Sequence, residues 1–311
     1  MNKNVFVLGS YVTDLCSRST GFPEVGETIK GLAFSYGPGG KGSNQAVAAF
    51  KAGANVRFST KVGKDIFGDK ALSFYQEIGM STDWVQIDPN AQTGAALIMV
   101  DERTSQNQII VIGGACENIS ETDTKNLYRV LEESAIFLTQ LETNLKPVYE
   151  MLGRAHEKGI TTILNPAPAQ EVELELFKNI DVITPNETEA DFFTGIKVVN
   201  KESASLAAKR FHEWGVKNVV ITMGEHGAFL SDGNIQELIP AVNCGKVVDT
   251  TGAGDAFSGG LAAGLAEGKT LYDAVRYATV VAGLSVTKKG TAPAMPDKHD
   301  IQKKYTELYG K

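Results

Sequence analysis

Residues 136–164 contain Ile136-Phe137-Leu138, then the amphipathic stretch Leu145 to Lys158, then Thr161-Thr162-Ile163-Leu164. Two short, continuously apolar or β-branched runs separated by a helix-length segment are the signature of two parallel strands joined by a crossover helix. Working outward, Val5 to Leu8, Val56 to Ser59, Val182 to Thr184 and Val219 to Thr222 repeat the strand-like run. Thr122 to Glu133 and Ser203 to Trp214 repeat the helix-like one. The pattern predicts an α/β fold with a parallel-dominated central sheet covered by helices on both faces. Such sheets bind ligands beyond the carboxyl ends of their strands, so functional residues should follow strands.

Two regions break the rhythm. One runs from about Asp14 to Tyr36; the other spans Gly94 to Ile112, where Ala95 to Val100 and Gln108 to Ile112 flank a polar turn like a hairpin. They form either a small separate sheet or an edge hairpin on the main one. The 311 residues are 42% hydrophobic and 22% charged, enough for a full core. The formal net charge of -7, with no basic block longer than Lys288-Lys289, excludes an electrostatic footprint for nucleic acid or an anionic membrane. Cys16, Cys116 and Cys244 are odd in number and widely spaced, which suits neither a disulfide framework nor a zinc site and fits a cytoplasmic protein. No apolar run reaches the length of a signal sequence core or a membrane span.

The strongest local motif is Asp249-Thr250-Thr251-Gly252-Ala253-Gly254-Asp255-Ala256-Phe257, ahead of the helix-like Ser258 to Leu265. Small residues before a helix leave N–H groups free and unobstructed, and the helix dipole adds positive potential, making an anion hole suited to a phosphoryl group in transfer. Asp255, in the first helical turn, is placed to take the proton of an attacking hydroxyl. By itself the same pattern is equally an Asp cap after a glycine turn.

Gly37-Pro38-Gly39-Gly40-Lys41-Gly42-Ser43-Asn44-Gln45 spells G-x-G-x-x-G, but it does not open the first βα unit, and Lys41 is followed by Gly42 rather than the Ser or Thr of a Walker loop. Gly39 and Gly40 instead let a ligand approach the main chain, with Lys41 and Asn44 bonding hydroxyls; a glycine turn capping a helix is the other account. Thr184-Pro185-Asn186-Glu187-Thr188-Glu189 follows a strand-like run and puts Asn186 and Glu189 on one face of a first helical turn, where they could organise Mg²⁺ and phosphate-bound water. Carboxylates at a helix start are also ordinary dipole partners. Ile221-Thr222-Met223-Gly224-Glu225-His226-Gly227 is a strand and glycine turn of the kind that lines a nucleotide. His156, His212, His226 and His299 lack metal-ligand spacing, and Phe192, Phe193, Phe211 and Trp214 read as core.

Together and in this order, the segments resemble the ribokinase branch of the ribokinase-like (PfkB) carbohydrate kinases. Gly39 to Ala49 is similar to the first family signature and Asp249 to Phe257 to the second. Further matches are Gly9-Ser10 with Asp14, Gln140-Leu141-Glu142, Leu164 to Ala169, Thr184 to Glu189 with Thr194-Gly195, and Val286 to Pro293. The resemblance covers nearly the whole chain. It implies a single ribokinase-like domain over 1–311, with lid segments at roughly 12–37 and 93–113 that also serve as a homodimer interface.

It further implies an ATP-dependent kinase that phosphorylates the terminal, 5-hydroxyl of a free pentose. Asp255 is then the base, and the amides of Gly252, Ala253 and Gly254 hold the transferring phosphate. Asp14, Gly40, Lys41, Asn44 and Glu142 hold the sugar; Asn186, Thr222, Gly224, Gly227, Gly254 and Thr279 contact ATP; and Glu189 helps organise Mg²⁺. An activating K⁺ is implied at Asp249, Thr251, Ser285, Lys288 and Gly290. One departure bears on the substrate. Members of the branch typically carry Gly-Ser-x-Asn-x-Asp, whereas this chain has Val12 in Gly9-Ser10-Tyr11-Val12-Thr13-Asp14. Valine cannot hydrogen-bond, and a buried hydroxyl without its partner costs about 1–3 kcal/mol, roughly five- to hundredfold in affinity. A sugar lacking one hydroxyl, such as 2-deoxyribose, is therefore expected to do at least as well as ribose, unless Tyr11, Thr13 or water supplies the bond. Other readings are a kinase for fructose, a fructose phosphate or a nucleoside, or a sugar-binding regulator without turnover.

Overall fold

The computed structural model describes residues 4–104 and 106–310. Within them the chain begins with β1 (Asn4–Leu8), β2 (Val12–Ser19), β3 (Ala33–Gly39), α1 (Lys41–Lys51), β4 (Asn55–Gly63), α2 (Ile66–Glu77) and β5 (Val85–Asp88). Next come β6 (Thr93–Asp101), β7 (Asn107–Gly114), α3 (Glu121–Glu132), β8 (Ile136–Thr139), α4 (Leu145–Glu157), β9 (Thr161–Leu164) and β10 (Val182–Ile183). It ends with α5 (Glu187–Thr194), α6 (Lys201–Glu213), β11 (Asn218–Thr222), β12 (Ala228–Ser231), β13 (Gln236–Ile239), α7 (Ala253–Ala266), α8 (Leu271–Ser285) and α9 (Lys298–Tyr309).

Nine strands make one sheet in the order β13-β12-β11-β10-β9-β8-β1-β4-β5, parallel except where β12 and β13 add an antiparallel edge. The remaining four make a separate sheet, β3-β2-β6-β7. The α/β class and the small separate sheet thus hold as expected. The hairpin read from Ala95 to Ile112 is present as β6 paired antiparallel with β7, and β2 joins it through a parallel pairing with β6.

Alternation along β1 explains why this sheet needs helices on both sides. Val5 and Val7 enter a core with Val47 of α1, Leu261 of α7 and Val281 of α8, while Phe6 and Leu8 enter a second core with Leu131 of α3, Leu152 of α4 and Phe211 of α6. All four β1 side chains are fully buried, so neither face tolerates a polar residue. Phe193, Phe211 and Trp214 pack in the second core, but Phe192 is 51% exposed, against expectation. On the two-turn helix α5, neighbouring residues point about 100° apart, so only one of the pair can face the sheet.

Two features of this packing place the site. The strands β1, β8, β9, β10 and β11 run parallel, so their carboxyl ends, and the residues after them, lie along one edge of the sheet. At the same edge α7 packs closely on α1. A side chain at Gly259 would meet the Gln45 carbonyl at 2.4 Å and the Ala48 Cβ at 2.6 Å, so the absence of one lets the two helix starts meet.

Candidate active site

Asp255 sits in the first turn of α7 and is 7% exposed. Gly252 caps the helix at φ 77°, in the left-handed region that disfavours a side chain. Because α1 and α7 touch, Asn44 Nδ2 donates to Asp255 Oδ2 at 3.0 Å and Gln45 Nε2 donates to Oδ1 at 2.9 Å. Burial raises the Asp255 pKa above the usual carboxylate range, while the Lys41 charge and the Gln45 and Asn44 hydrogen bonds pull it back part of the way. Of the three amides expected in the anion hole, Ala253 N–H donates to Thr250 O at 3.2 Å within the turn. Among the described residues the Gly252 and Gly254 N–H groups have no partner, and the space over the Gly254 Cα is open.

The predicted sugar residues converge beside it. Glu142, just after β8, accepts hydrogen bonds from Ser10 Oγ at 2.5 Å and Lys41 N–H at 2.8 Å, tying the end of β1 to the start of α1. Gly40 lies at φ 87°, and a Cβ there would come within 2.8 Å of Val12 N, so the turn into α1 crosses β2 with no room for a side chain. Thr291 Oγ lies 3.4 Å from Asp14 Oδ2 and 3.1 Å from the Pro38 carbonyl. Burial, assisted by the charges of Glu142 and Asp255, raises the Asp14 pKa to about 6 despite the Thr291 bond. Burial opposes the Lys41 charge, but Asp255, Glu142 and Glu189 more than offset it and hold the ammonium above its usual range. Val12 is 3% exposed. The Tyr11 and Thr13 hydroxyls on either side of it bond each other at 3.3 Å, and Tyr11 packs edge-on against Tyr75 in the core.

The nucleotide segments lie at the ends of the next strands. Asn186 and Glu189 form a capping box on α5, with Asn186 N–H to Glu189 Oε2 and Glu189 N–H to Asn186 Oδ1 both at 2.8 Å. The N-x-x-E spacing is thus spent first on the helix start, which leaves Asn186 Nδ2 and the other Glu189 oxygen for a ligand. Burial raises the Glu189 pKa, countered in part by the Asn186 N–H and Lys41. Thr222 bridges to Asn186 in parallel register and is followed by Gly224 at φ 51° and Gly227 at φ 102°. Thr279, in α8, donates its hydroxyl to the Arg276 carbonyl at 2.7 Å.

Of the five expected cation residues, Asp249, Thr251 and Gly290 are joined directly, while Ser285 and Lys288 bond each other and connect to Asp249 through the Val286 carbonyl. The Asp249 carboxylate accepts from Thr251 N–H and from Gly290 N–H, each at 3.0 Å, and Val248 and Asp249 N–H both donate to Val286 O. Burial pushes the Asp249 pKa up, but the Gly290 and Thr251 N–H groups, the Thr251 side chain and the Arg18 charge more than offset it and lower it below the usual carboxylate range. Ser285 is buried with its carbonyl accepting Lys288 N–H at 3.2 Å, and the Lys288 side chain is exposed.

Residues with no role read from sequence also belong to the site. Gln45 Nε2 donates to Asn165 Oδ1 as well as to Asp255, and Gln45 Oε1 accepts from Gln140 Nε2 at 2.8 Å. Gln45 lies inside the stretch similar to the first family signature and Gln140 and Asn165 inside two of the further matching segments, which was their only sequence signal. Among the described residues no three His, Cys, Asp or Glu side chains form a metal cluster, and no helix is long and apolar enough to cross a membrane.

Comparison with known proteins agrees with this geometry. A model of the pfkB family carbohydrate kinases matches residues 2–298. The chain is 38% identical over 300 residues to a ribokinase of Haemophilus influenzae, covering 96% of this chain and 97% of that one. It is 36% identical over 294 residues to a deoxyribokinase of Salmonella typhi, covering 94% and 95%. The structure of Arabidopsis thaliana ribokinase complexed with ribose and ATP superposes with a TM-score of 0.91 at 30% identity, covering 98% of this chain and 99% of that one. Sheet order, separate small sheet, ordered motifs and these matches lead to one conclusion: the chain belongs to the pfkB family of carbohydrate kinases.

Proposed function

We propose that this ATP-dependent kinase moves the γ-phosphoryl group to the 5-hydroxyl of a free pentose, with Asp255 as general base. The observation that carries the reading is the buried Asp255 carboxylate, held on both oxygens by Asn44 and Gln45 at the open start of α7. The sugar hydroxyl gives its proton to Asp255 as its oxygen bonds to the γ-phosphorus; the bond to the bridging oxygen breaks and ADP leaves. Gly252 and Gly254 offer free N–H groups to the phosphoryl oxygens, and Ala253 joins them by giving up its bond to Thr250. Lys41 stands among Asp255, Glu142 and Glu189, between the sugar and nucleotide segments, so its charge serves both. Asp14, Gly40, Lys41, Asn44 and Glu142 hold the sugar, while Asn186, Thr222, Gly224, Gly227, Gly254 and Thr279 line the ATP side.

Glu189 fits Mg²⁺ as one carboxylate oxygen left over from the cap, matching an ion that keeps waters and substrate phosphates as its other ligands. Oxygens of Asp249, Thr251, Ser285, Lys288 and Gly290 fit K⁺, because the Asp249 bonds already draw both loops together. A bound cation there adds positive charge beside the anion hole. The whole chain works as one kinase domain with the β2-β3-β6-β7 sheet as lid and homodimer face. The three free cysteines suit a cytoplasmic site of action.

Val12 favours 2-deoxyribose as a substrate at least equal to ribose, since its own side chain offers neither donor nor acceptor and the neighbouring Tyr11 and Thr13 hydroxyls are turned toward each other. Asp255→Asn should lower kcat by about 10²–10⁴ with sugar binding largely kept. Near-normal turnover would sink the base assignment. Measured kcat/KM for 2-deoxyribose should match or exceed that for ribose, and a strong ribose preference would refute the Val12 reading.

A further inference from the structure

Three buried amide side chains stand behind Asp255 and take no part in the chemistry described above. Gln45 is fully buried, Gln140 is 1% exposed and Asn165 is 6% exposed. They come from three separate elements: α1, the end of β8 and the end of β9. Amides do not titrate, so this cluster has no base or acid function of its own.

Chemistry sets its orientation. An ionised Asp255 only accepts hydrogen bonds, so Gln45 must turn its nitrogen toward it. Gln45 then spends its two N–H groups on Asp255 Oδ1 and Asn165 Oδ1, both at 2.9 Å, leaving its oxygen facing Gln140 Nε2 at 2.8 Å. Asn165 is oriented in turn, because its nitrogen donates to the Thr184 carbonyl at 2.8 Å. Every bond is satisfied in one direction only, from Gln140 through Gln45 to the carboxylate. The cost falls at the far end. Among the described residues Gln140 Oε1 is buried without a partner, packed where a side chain on Gly9 would come within 2.1 Å of it. A buried unpaired acceptor is unfavourable, and a chain retaining one suggests that the direction of the relay is what matters.

We propose that Gln45, oriented by Gln140, is a positioning residue that holds Asp255 ionised with Oδ1 fixed, so that Oδ2, bonded only by Asn44, is the oxygen that takes the substrate proton. The inference rests on the reading of Asp255 as the base. Asn44 belongs to the proposed sugar-binding set, so its bond to Oδ2 can be exchanged when the sugar arrives, whereas Gln45 is fully buried and bonded to Asp255, Asn165 and Gln140. Burial without the Gln45 donor leaves the carboxylate easier to protonate, so losing that donor moves the acid limb of turnover toward higher pH.

The test is the pH dependence of kcat for Gln45→Leu under saturating sugar, ATP, Mg²⁺ and K⁺, in the wild-type and Asp255→Asn backgrounds. The expected result is a loss of tenfold or more in kcat, an acid limb shifted upward, sugar and ATP KM values changed less than about threefold, and no further loss in the Asp255→Asn background. An unmoved acid limb, or an equal loss in both backgrounds, overturns the proposal while leaving the base assignment standing. Near-normal kcat in Asp255→Asn alone removes the base assignment and the proposal with it. Gln140→Met leaves every contact of Asp255 in place and serves if Gln45→Leu does not fold. It should move the acid limb the same way by a smaller amount, and a wild-type pH profile for it counts against the relay.

Discussion

Asp14 shows how a residue proposed to bind substrate carries a folding cost. Burial lifts its pKa from 3.8 to about 6, which makes the ionised form unfavourable in the folded protein by roughly 3 kcal/mol. Because the folded value is the higher one, Asp14 contributes stability below its unfolded pKa, and that contribution is lost as pH rises through about 6. Asp14→Asn removes the charge and keeps the shape. The ligand-free variant should therefore melt higher than wild type at pH 7.5, with the gain vanishing near pH 4, and its sugar KM should rise. Equal melting temperatures at pH 7.5 would show that Asp14 is not strained by its burial. The carboxylate is kept despite this cost in the part of the site proposed to read sugar hydroxyls.

Elements set what single residues cannot. The start of α7 is held by its close packing on α1 at Gly259 and by Asp249, whose carboxylate joins Thr251 to Gly290 across the two loops preceding α7 and following α8. Loosening that clamp should act on the anion hole. Steady-state rates should be higher in K⁺ than in Na⁺ buffer for the wild type, and Asp249→Asn should abolish most of the difference. Indistinguishable rates in the two salts for the wild type would remove the cation assignment. Helix α5 teaches the complementary point. Its Asn186 and Glu189 were read as metal and nucleotide ligands, yet each first satisfies a backbone N–H of the other, because an uncapped helix start at a ligand edge leaves donors unpaired. The cap is what the spacing is seen to serve, and it leaves one amide and one carboxylate oxygen for the proposed ligands.

At the scale of the whole molecule, the small sheet leaves Phe34, Tyr36, Leu97, Ile109, Ile110, Val111 and Ile112 exposed. By strand alternation and register, Phe34, Tyr36, Leu97, Ile110 and Ile112 share one face while Ile109 and Val111 lie on the other, and an exposed apolar face of this kind is the physical ground for the proposed homodimer. Ile110→Asp should convert a dimer to a monomer in analytical ultracentrifugation; a monomeric wild type would end that part of the proposal. The class of fold and the order of the ligand-binding segments were legible in the chain itself. Short apolar runs alternating with helix-length amphipathic stretches point to strands buried on both faces, and glycines ahead of a helix start leave room for a ligand at its backbone donors, although each motif alone had an ordinary structural account. Phe192 was misjudged because periodicity on a two-turn helix does not say which of two adjacent aromatics faces the sheet. The partners of Asp255 were equally out of reach. Gln45 lies 210 residues away along the chain, and its hydrogen bond exists because α1 and α7 pack side by side on the sheet. What the sequence by itself determined is local: periodicity, turns, and the chemical type of each candidate ligand, all of which depend on neighbours a few residues apart. The tertiary structure alone decided which carboxylates are buried together, which amide faces which oxygen and which apolar strand is left uncovered, because those follow from contacts between distant segments.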